Sequence, residues 1–294
     1  MLAVLAELEE VPCYYCGATD GSVWGEEAGY RALKCAGCGL VYVSPRPRHV
    51  LIDEAARTGE HATERGSLTV TGRYKRSRVR HHAHLLKAMF AGFPAQPRWL
   101  DIGAGFGELA EAVVLVFPGA LVTGLEPNEA KRRAAKKRGL ELTGTRLAEL
   151  APASFDVVSV MNVWSHLPDP AAFMSQVRTL LGEGGLLLVQ TGTGGDLASA
   201  ADYPDALLLP DHLSFAGERH VVGVLERAGF EIETIRRKRA DTATFAARSA
   251  VKRLLGRPAR LTIPYRSPFR VIYVLARGVE VDAGVPGGGG APAP

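Results

Sequence analysis

The stretch that most constrains how this chain folds runs from Trp99 to Leu109. Its apolar beginning, Trp99 to Ile102, predicts a short buried strand. Glycine then stands at every second position, and a helix is expected from about Glu108. Glycine adopts positive φ and lets a ligand approach backbone that a Cβ would shield. A strand, a glycine loop and a helix in this order predict a nucleotide-sized site with backbone N–H groups at the helix start.

The spacing of these glycines separates two kinds of site. The dinucleotide fingerprint is G-x-G-x-x-G, and counting from Gly103 its third glycine would fall on Glu108. The chain instead has the pattern Asp-x-Gly-x-Gly-x-Gly from Asp101 to Gly107. Because glycine-rich loops also occur as plain turns, a binding function needs support from the rest of the chain.

Length and composition set outer bounds. With 294 residues, 47% of them hydrophobic, the chain can bury one sizeable core and a small additional unit. It has no apolar run of about 18 residues, so no membrane span or membrane partner is expected. The apolar start, Met1 to Ala6, lacks a basic lead-in and argues against a signal peptide. We therefore expect a cytoplasmic protein.

The charge is mild, at +4. Basic runs such as 131–138 and 236–239 are interpreted as solvated helix faces and a strand end, because acidic residues nearly balance them. Nucleic acid is therefore not the expected partner.

All four cysteines lie within residues 13–38, as Cys13-x-x-Cys16 and Cys35-x-x-Cys38. The eighteen residues between the pairs match the C-x₂-C-x₁₅₋₂₀-C-x₂-C pattern of zinc sites. Four thiolates complete a tetrahedral Zn²⁺ shell and leave no position for a substrate. We predict a structural zinc ion that stabilises a small module. Disulfides are the alternative, which the missing secretory signal disfavours.

Two helices are predicted before the main domain, at residues 48–60 and about 68–91. The second carries His81, His82 and His84. Adjacent positions do not share a helix face, so a solvated basic helix is favoured over a metal site.

Strands and helices alternate from Arg98 onward, which predicts an α/β fold with a parallel sheet. The run Leu121–Leu125 ends in Glu126, nineteen residues past Gly107. A nucleotide site in such a fold needs a carboxylate there to accept hydrogen bonds from the ribose hydroxyls. A weak third strand at 140–142 is followed by a turn at Leu147 that would lie beside an adenine ring.

A continuous apolar strand at 154–163 belongs in the middle of the sheet, with a ligand at its carboxyl end near Asn162 and Val163. Strands are also predicted at 186–190, 230–235 and 269–277, and a basic helix at about 243–255. The glycine-rich stretch 191–196 is predicted to be a binding loop.

Together these features resemble the class I S-adenosylmethionine-dependent methyltransferases, specifically a bacterial group with an amino-terminal four-cysteine zinc module. The resemblance covers residues 99–277 and also the zinc module. It implies an α/β Rossmann-like sheet of seven strands, the last antiparallel, with a small zinc-ribbon-like module. The donor-binding residues that it implies are Asp101, Gly103, Ala104, Gly105, Gly107, Glu126, Pro127, Leu147, Asn162 and Val163.

The expected organisation has four parts. Residues 1–45 form the zinc-binding module, 46–97 a helical linker or cap over the cofactor, and 98–281 the methyltransferase domain. The glycine- and proline-rich tail, 282–294, is expected to be disordered.

The acceptor is expected near Asp211 and His212. In sugar C-methyltransferases of this group an acid–histidine pair after the fifth strand is placed over the acceptor, and these residues match it. Histidine can take a proton near neutral pH, and Asp211 would orient it or cap the next helix. A structural hydrogen-bonding role for His212 is the alternative, and His166 is expected to be structural.

The resulting hypothesis is methyl transfer to a small molecule, a sugar or natural-product intermediate, at oxygen, nitrogen or carbon. One alternative is a ribosomal RNA base methyltransferase. RNA recognition favours aromatic stacking, but aromatic residues make up only 7% of the chain. The other alternative is a non-catalytic binding module with the same fold. The acceptor and the oligomeric state are not determined by the sequence.

Overall fold

The computed structural model describes residues 8–64, 66–70, 72–204, 206–239, 243–256 and 269–279. The tail predicted at 282–294 lies outside these residues. The amino-terminal strands are β1 (Leu8–Glu9), β2 (Gly21–Glu27), β3 (Tyr30–Cys35), β4 (Val41–Val43) and β5 (Arg46–Pro47). Strands β2, β3 and β4 form an antiparallel ribbon, and β1 pairs with β5.

The segment before the main sheet is less helical than the sequence predicts. It contains α1 (His49–Thr58), a hairpin of β6 (Glu60–Thr63) and β7 (Gly66–Thr69), and α2 (Arg76–Met89). The predicted start of the second helix at residue 68 is therefore wrong. The antiparallel pairing of β6 with β7 occupies Leu68 and Thr69, so their backbone groups bond across the hairpin instead of within a helix.

The rest of the chain supplies the main sheet and its helices. The remaining strands are β8 (Arg98–Ile102), β9 (Leu121–Leu125), β10 (Leu142–Thr143), β11 (Phe155–Met161), β12 (Leu181–Gly192), β13 (Ser214–Phe215), β14 (Phe230–Arg239) and β15 (Arg270–Gly278). The helices are α3 (Glu108–Val116), α4 (Glu129–Lys136), α5 (Pro170–Leu180), α6 (Glu218–Arg227) and α7 (Ala243–Leu254).

The main sheet has seven strands in the order β10-β9-β8-β11-β12-β15-β14. Strand β15 runs antiparallel to both of its neighbours, and the other described pairings are parallel. The Rossmann-like sheet with its antiparallel last strand is thus confirmed. Parallel order brings the carboxyl ends of β8, β9 and β11 to one edge, where open α/β sheets bind ligands.

Apolar residues cover both faces of this sheet. Val157 and Val158 of β11 are fully buried and point to opposite faces. Val158 belongs to the cluster formed with α5 and α6, and Val157 to the cluster formed with α2 and α3. Burial on both faces explains why β11 is a continuous apolar run instead of an alternating one.

The glycine-rich stretch after β12 is packed inside the protein. Gly194 and Gly195 are buried, and a Cβ on Gly195 would lie 2.4 Å from the carbonyl oxygen of Phe215. Glycine is needed here for close approach to β13. The predicted loop at 191–196 is wrong in its structure, because residues 191–192 belong to β12 and 194–196 form a 3₁₀ turn. Strand β13 in turn pairs with β4, which joins this part of the chain to the amino-terminal ribbon.

Among the described residues, none of the helices combines the length and the apolar character needed to cross a membrane.

Candidate functional site

The glycine loop uses its three glycines for different reasons. All three have positive φ: +70° at Gly103, +59° at Gly105 and +86° at Gly107. A Cβ on Gly103 would lie 2.3 Å from Val163 Cγ2, and one on Gly107 would lie 2.0 Å from Leu140 Cδ2. A Cβ on Gly105 would meet no atom within 4 Å. The first and third glycines permit packing, and the middle one faces open space.

Glu126 stands next to this loop because β8 and β9 are adjacent strands. Its side chain is buried, with Oε2 accepting from Gly105 N–H at 2.7 Å and Oε1 accepting from Asn128 N–H at 2.9 Å. Ala104 N–H donates to the carbonyl oxygen of Leu125 at 2.8 Å. The Glu126 carboxylate is therefore hydrogen-bonded to the glycine loop.

Asp101 lies beneath the loop, 1% exposed. Ser159 Oγ donates to its Oδ1 at 2.8 Å, and within the described part of the chain its Oδ2 has no hydrogen-bond partner. Burial raises the pKa of this carboxyl to about 7. A buried acceptor atom without a partner costs free energy, and a ligand that donates a hydrogen bond would relieve that cost.

The other predicted donor residues are distributed around this edge. Asn162 follows the last residue of β11 with a positive φ of +61°, and its successor Val163 packs against Gly103. The carbonyl oxygen of Pro127 accepts from Arg132 Nη1 at 2.6 Å. Leu147 opens a short 3₁₀ turn and packs against the apolar cluster beneath α5 and α6.

Asp211 is paired with two histidines that come from distant parts of the chain. Its Oδ1 lies 3.1 Å from His61 Nε2 and 3.1 Å from His166 Nδ1. Burial raises the pKa of the carboxyl, but the hydrogen bonds from these histidines outweigh it and hold the pKa well below its usual range. Burial likewise lowers the pKa of His166, and the bond to Asp211 reverses this, leaving it above the ordinary value.

His212 is oriented by the backbone. Its Nδ1 lies 2.8 Å from the carbonyl oxygen of Leu207, and since a carbonyl only accepts, Nδ1 carries the hydrogen and Nε2 is the unprotonated, accepting nitrogen. Burial, followed by the charge of His166, lowers the pKa of His212 to about 4. The ring is thus neutral near pH 7.

This arrangement changes the expected partnership of Asp211 and His212. The carboxylate bonds to His61 and His166 instead of orienting the His212 ring. It does not cap the following helix either, because the N-cap of α6 is Gly217. His61 lies on the hairpin, and no motif around it in the sequence marks it as part of the site.

The four cysteines are brought together as predicted. Cys13 Sγ lies 3.5 Å from Cys38 Sγ, and Cys16 Sγ lies 3.5 Å from Cys35 Sγ. All four sulfurs lie within 4.8 Å of one another, and all are free thiols. Zn–S bonds of ~2.3 Å in a tetrahedron separate the sulfurs by about 3.8 Å, so this donor set fits a zinc ion.

The three histidines of α2 lie away from these groups. His81 Nε2 is 3.2 Å from Tyr273 Oη on β15. Burial lowers the pKa of His82 to about 4.

Comparison with known proteins agrees with this geometry. The profile of a family described as "Methyltransferase domain" matches residues 74–235, more than half of the chain. The chain belongs to this family. The matched range includes the glycine loop and Glu126. It also includes His166, which follows β11, and His212, in the loop after β12. The fold and the class I S-adenosylmethionine-dependent family resemblance are confirmed.

Individual relatives match the chain only in part. It is 36% identical over 101 residues to a ubiquinone biosynthesis O-methyltransferase of Pseudomonas aeruginosa, covering 31% of the chain and 43% of that relative. The chain thus spans less than half the length of this curated relative.

Solved structures share the fold at low identity. A geranyl diphosphate C-methyltransferase from Streptomyces coelicolor A3(2) has a TM-score of 0.55 at 14% identity, covering 68% of this chain and 79% of its own. A putative sarcosine dimethylglycine methyltransferase from Galdieria sulphuraria has a TM-score of 0.54 at 16% identity, covering 70% and 91%.

Proposed function

We propose that this methyltransferase transfers the methyl group of S-adenosylmethionine to a small-molecule acceptor at the carboxyl edge of its sheet. One observation carries the proposal. The glycine loop with Glu126 lies at the same edge as the loop of His212, because Val163 packs against Gly103 and His166, three residues later, pairs with Asp211, the neighbour of His212. A donor site and a proton acceptor are the two parts that methyl transfer requires.

The donor would be held by the carboxyl groups of Glu126 and Asp101 and by the backbone of the glycine loop at Gly105. In this proposal Glu126 accepts hydrogen bonds from two ribose hydroxyls, and Oδ2 of Asp101, which has no partner among the described residues, accepts one from an amino group. Gly105 leaves space for close approach. We assign Gly103, Ala104, Gly107, Pro127, Leu147, Asn162 and Val163 to the walls of the same site.

S-adenosylmethionine supplies a methyl group that is already activated on a sulfonium sulfur. The protein therefore has to align the acceptor and receive its proton. We propose His212 Nε2 for this role. As the acceptor atom bonds to the methyl carbon, the carbon–sulfur bond of the donor would break, and its electron pair would stay on the sulfur of the departing S-adenosylhomocysteine. The O–H or N–H bond of the acceptor would break at the same time, and its proton would move to Nε2. A pKa of about 4 suffices, because an oxygen that is being methylated becomes strongly acidic.

The acceptor atom is best supported as oxygen. The Pseudomonas relative is named for O-methylation in ubiquinone biosynthesis, and a proton acceptor such as His212 suits a hydroxyl group. Nitrogen and carbon acceptors remain outcomes of the test. We expect the acceptor to be a sugar or another natural-product intermediate.

We further propose that Cys13, Cys16, Cys35 and Cys38 hold a structural zinc ion. The closed four-thiolate set supports this. Thiolates persist in reducing compartments, which supports a cytoplasmic location.

The decisive experiment has two steps. Donor binding is first measured by titration calorimetry, and an absence of binding would favour the non-catalytic alternative. The protein is then incubated with labelled donor and candidate small molecules in one set of reactions, and with labelled donor and bulk RNA in another. A small molecule that gains the mass of a methyl group supports the proposal, whereas label found only in RNA supports the ribosomal RNA alternative.

A further inference from the structure

The loop that carries His212 is held by a side chain of the amino-terminal ribbon. Glu27, the last residue of β2, accepts two backbone hydrogen bonds from this loop. Its Oε2 accepts from Leu207 N–H at 2.8 Å, and its Oε1 accepts from Leu208 N–H at 2.6 Å. One carboxylate thus binds two consecutive peptide groups that lie 180 residues away in the chain.

The backbone at this point needs support. Leu208 has a φ of +59°, a left-handed conformation that a leucine rarely adopts and that costs ~1–3 kcal/mol. Its neighbours Leu207 and Leu209 are fully buried. The two hydrogen bonds to Glu27 and the burial of these leucines stabilise the turn against its own strain.

The same turn orients His212 through two contacts. The backbone N–H of His212 donates to the carbonyl oxygen of Leu208 at 3.0 Å, and its ring Nδ1 donates to the carbonyl oxygen of Leu207 at 2.8 Å. The Leu207 carbonyl and the Leu208 N–H belong to one peptide group. Glu27, this peptide group and the His212 ring therefore form a continuous chain of hydrogen bonds.

We propose that Glu27 is a positioning residue for the proton acceptor, acting on His212 through the peptide group between Leu207 and Leu208. The carboxylate polarises this peptide group, and hydrogen bonds in such a chain strengthen one another. A more negative Leu207 carbonyl oxygen favours the tautomer of His212 in which Nδ1 carries the hydrogen and Nε2 is unprotonated. The inference rests on the proposed role of His212 in methyl transfer.

The conservative variant Glu27→Gln tests this directly. The amide keeps the shape of the side chain but replaces one acceptor oxygen with a donor, which cannot bind an N–H group. Glu26, the preceding residue on the same strand, is exposed, so Glu26→Gln is the matched control.

The first readout is the tautomer of His212, measured by nitrogen-15 NMR of the imidazole rings and assigned with His212→Asn. We expect wild type and Glu26→Gln to show the Nδ1–H form, and Glu27→Gln to show a mixture of both neutral forms. An unchanged tautomer in folded Glu27→Gln would overturn the proposal. This measurement needs no acceptor, so it is independent of whether methyl transfer itself is demonstrated.

The second readout is turnover divided by the number of donor-binding sites from calorimetry, which counts only folded protein. For Glu27→Gln we expect this ratio to fall about tenfold with unchanged donor affinity. A purely structural role would lower the number of sites and leave the ratio unchanged, and that result would also overturn the proposal.

Discussion

The carboxylate of Glu126 accepts the backbone N–H of Gly105 at 2.7 Å, so the end of β9 is tied directly to the glycine loop after β8. Glu126, which is predicted to bind the ribose, therefore contacts the glycine loop, which is predicted to lie along the donor. We expect Glu126→Ala to weaken donor binding by ~2–3 kcal/mol, the scale of hydrogen bonds to a charged group. Titration calorimetry measures this. Glu141→Gln, at an exposed position, is the control, and unchanged affinity in Glu126→Ala would remove the residue from the site.

Removal of the His212 ring separates chemistry from donor binding. We expect His212→Ala to lower turnover ~10²-fold or more, because general-base catalysis contributes on this scale, while the donor still binds. His84→Ala, on the exposed side of α2, should leave turnover unchanged. Near-normal turnover in His212→Ala would refute its role as proton acceptor.

The pH dependence of activity should reflect the partly buried environment of His212. Burial lowers its pKa from 6.5 to about 4, so the ring accepts protons throughout the neutral range. At saturating donor concentration, where protonation of Asp101 with its pKa of about 7 does not limit donor binding, we expect turnover to fall on the acid side only as the pH approaches 4. A limb centred near pH 6.5 that disappears in His212→Asn would contradict the burial described here.

The same shift predicts a pH dependence of stability. A group whose pKa is lower in the folded state contributes stability that is present above its unfolded pKa and is lost as the pH falls through the folded value. For His212 this window extends from 6.5 down to about 4, with a loss of up to ~3 kcal/mol. Chemical unfolding at several pH values should show it, and His212→Asn should flatten the slope.

Steric contact between Gly103 and Val163 predicts a non-additive pair of substitutions. Gly103→Ala places a Cβ 2.3 Å from Val163 Cγ2 at a φ of +70°, so we expect a loss of ~2 kcal/mol or more in unfolding free energy from overlap and strain. In a Val163→Ala background the loss should be smaller. Gly105→Ala has open space and should lose only the strain contribution. Equal losses in all three cases would contradict the packing explanation.

Removal of the proposed zinc ion should destabilise the amino-terminal ribbon before the rest of the protein. Because four thiolates close the proposed zinc site, we expect one zinc ion per chain by elemental analysis and none in Cys35→Ser. His220 Nε2 lies 3.0 Å from the carbonyl oxygen of Cys38, so loss of the metal should also loosen α6. Hydrogen exchange across residues 13–43 and 218–227 measures this, and full occupancy by zinc in Cys35→Ser would contradict the ligand assignment.

Much of the donor side could be predicted because its signals are local. The glycine spacing, the carboxylate at the end of the second strand of the sheet and the paired cysteines each depend on residues close together in sequence, or on the regular order of strands in an α/β fold. The same local reasoning failed at Leu68 and Thr69, where pairing across a hairpin takes the place of the predicted helix, and at 191–196, where glycines serve internal packing.

The sequence by itself determined the family resemblance, the seven-stranded sheet that the resemblance implies, and the prediction that Glu126 and the glycine loop belong to one site. Only the tertiary structure decided that Asp211 bonds to His61 and His166, and that the His212 ring bonds to a peptide group whose N–H donates to Glu27. These contacts join residues that are far apart in the chain, so no fixed spacing in the sequence indicates them. They exist because the ribbon, the hairpin and the loop after β12 are packed against one edge of the sheet.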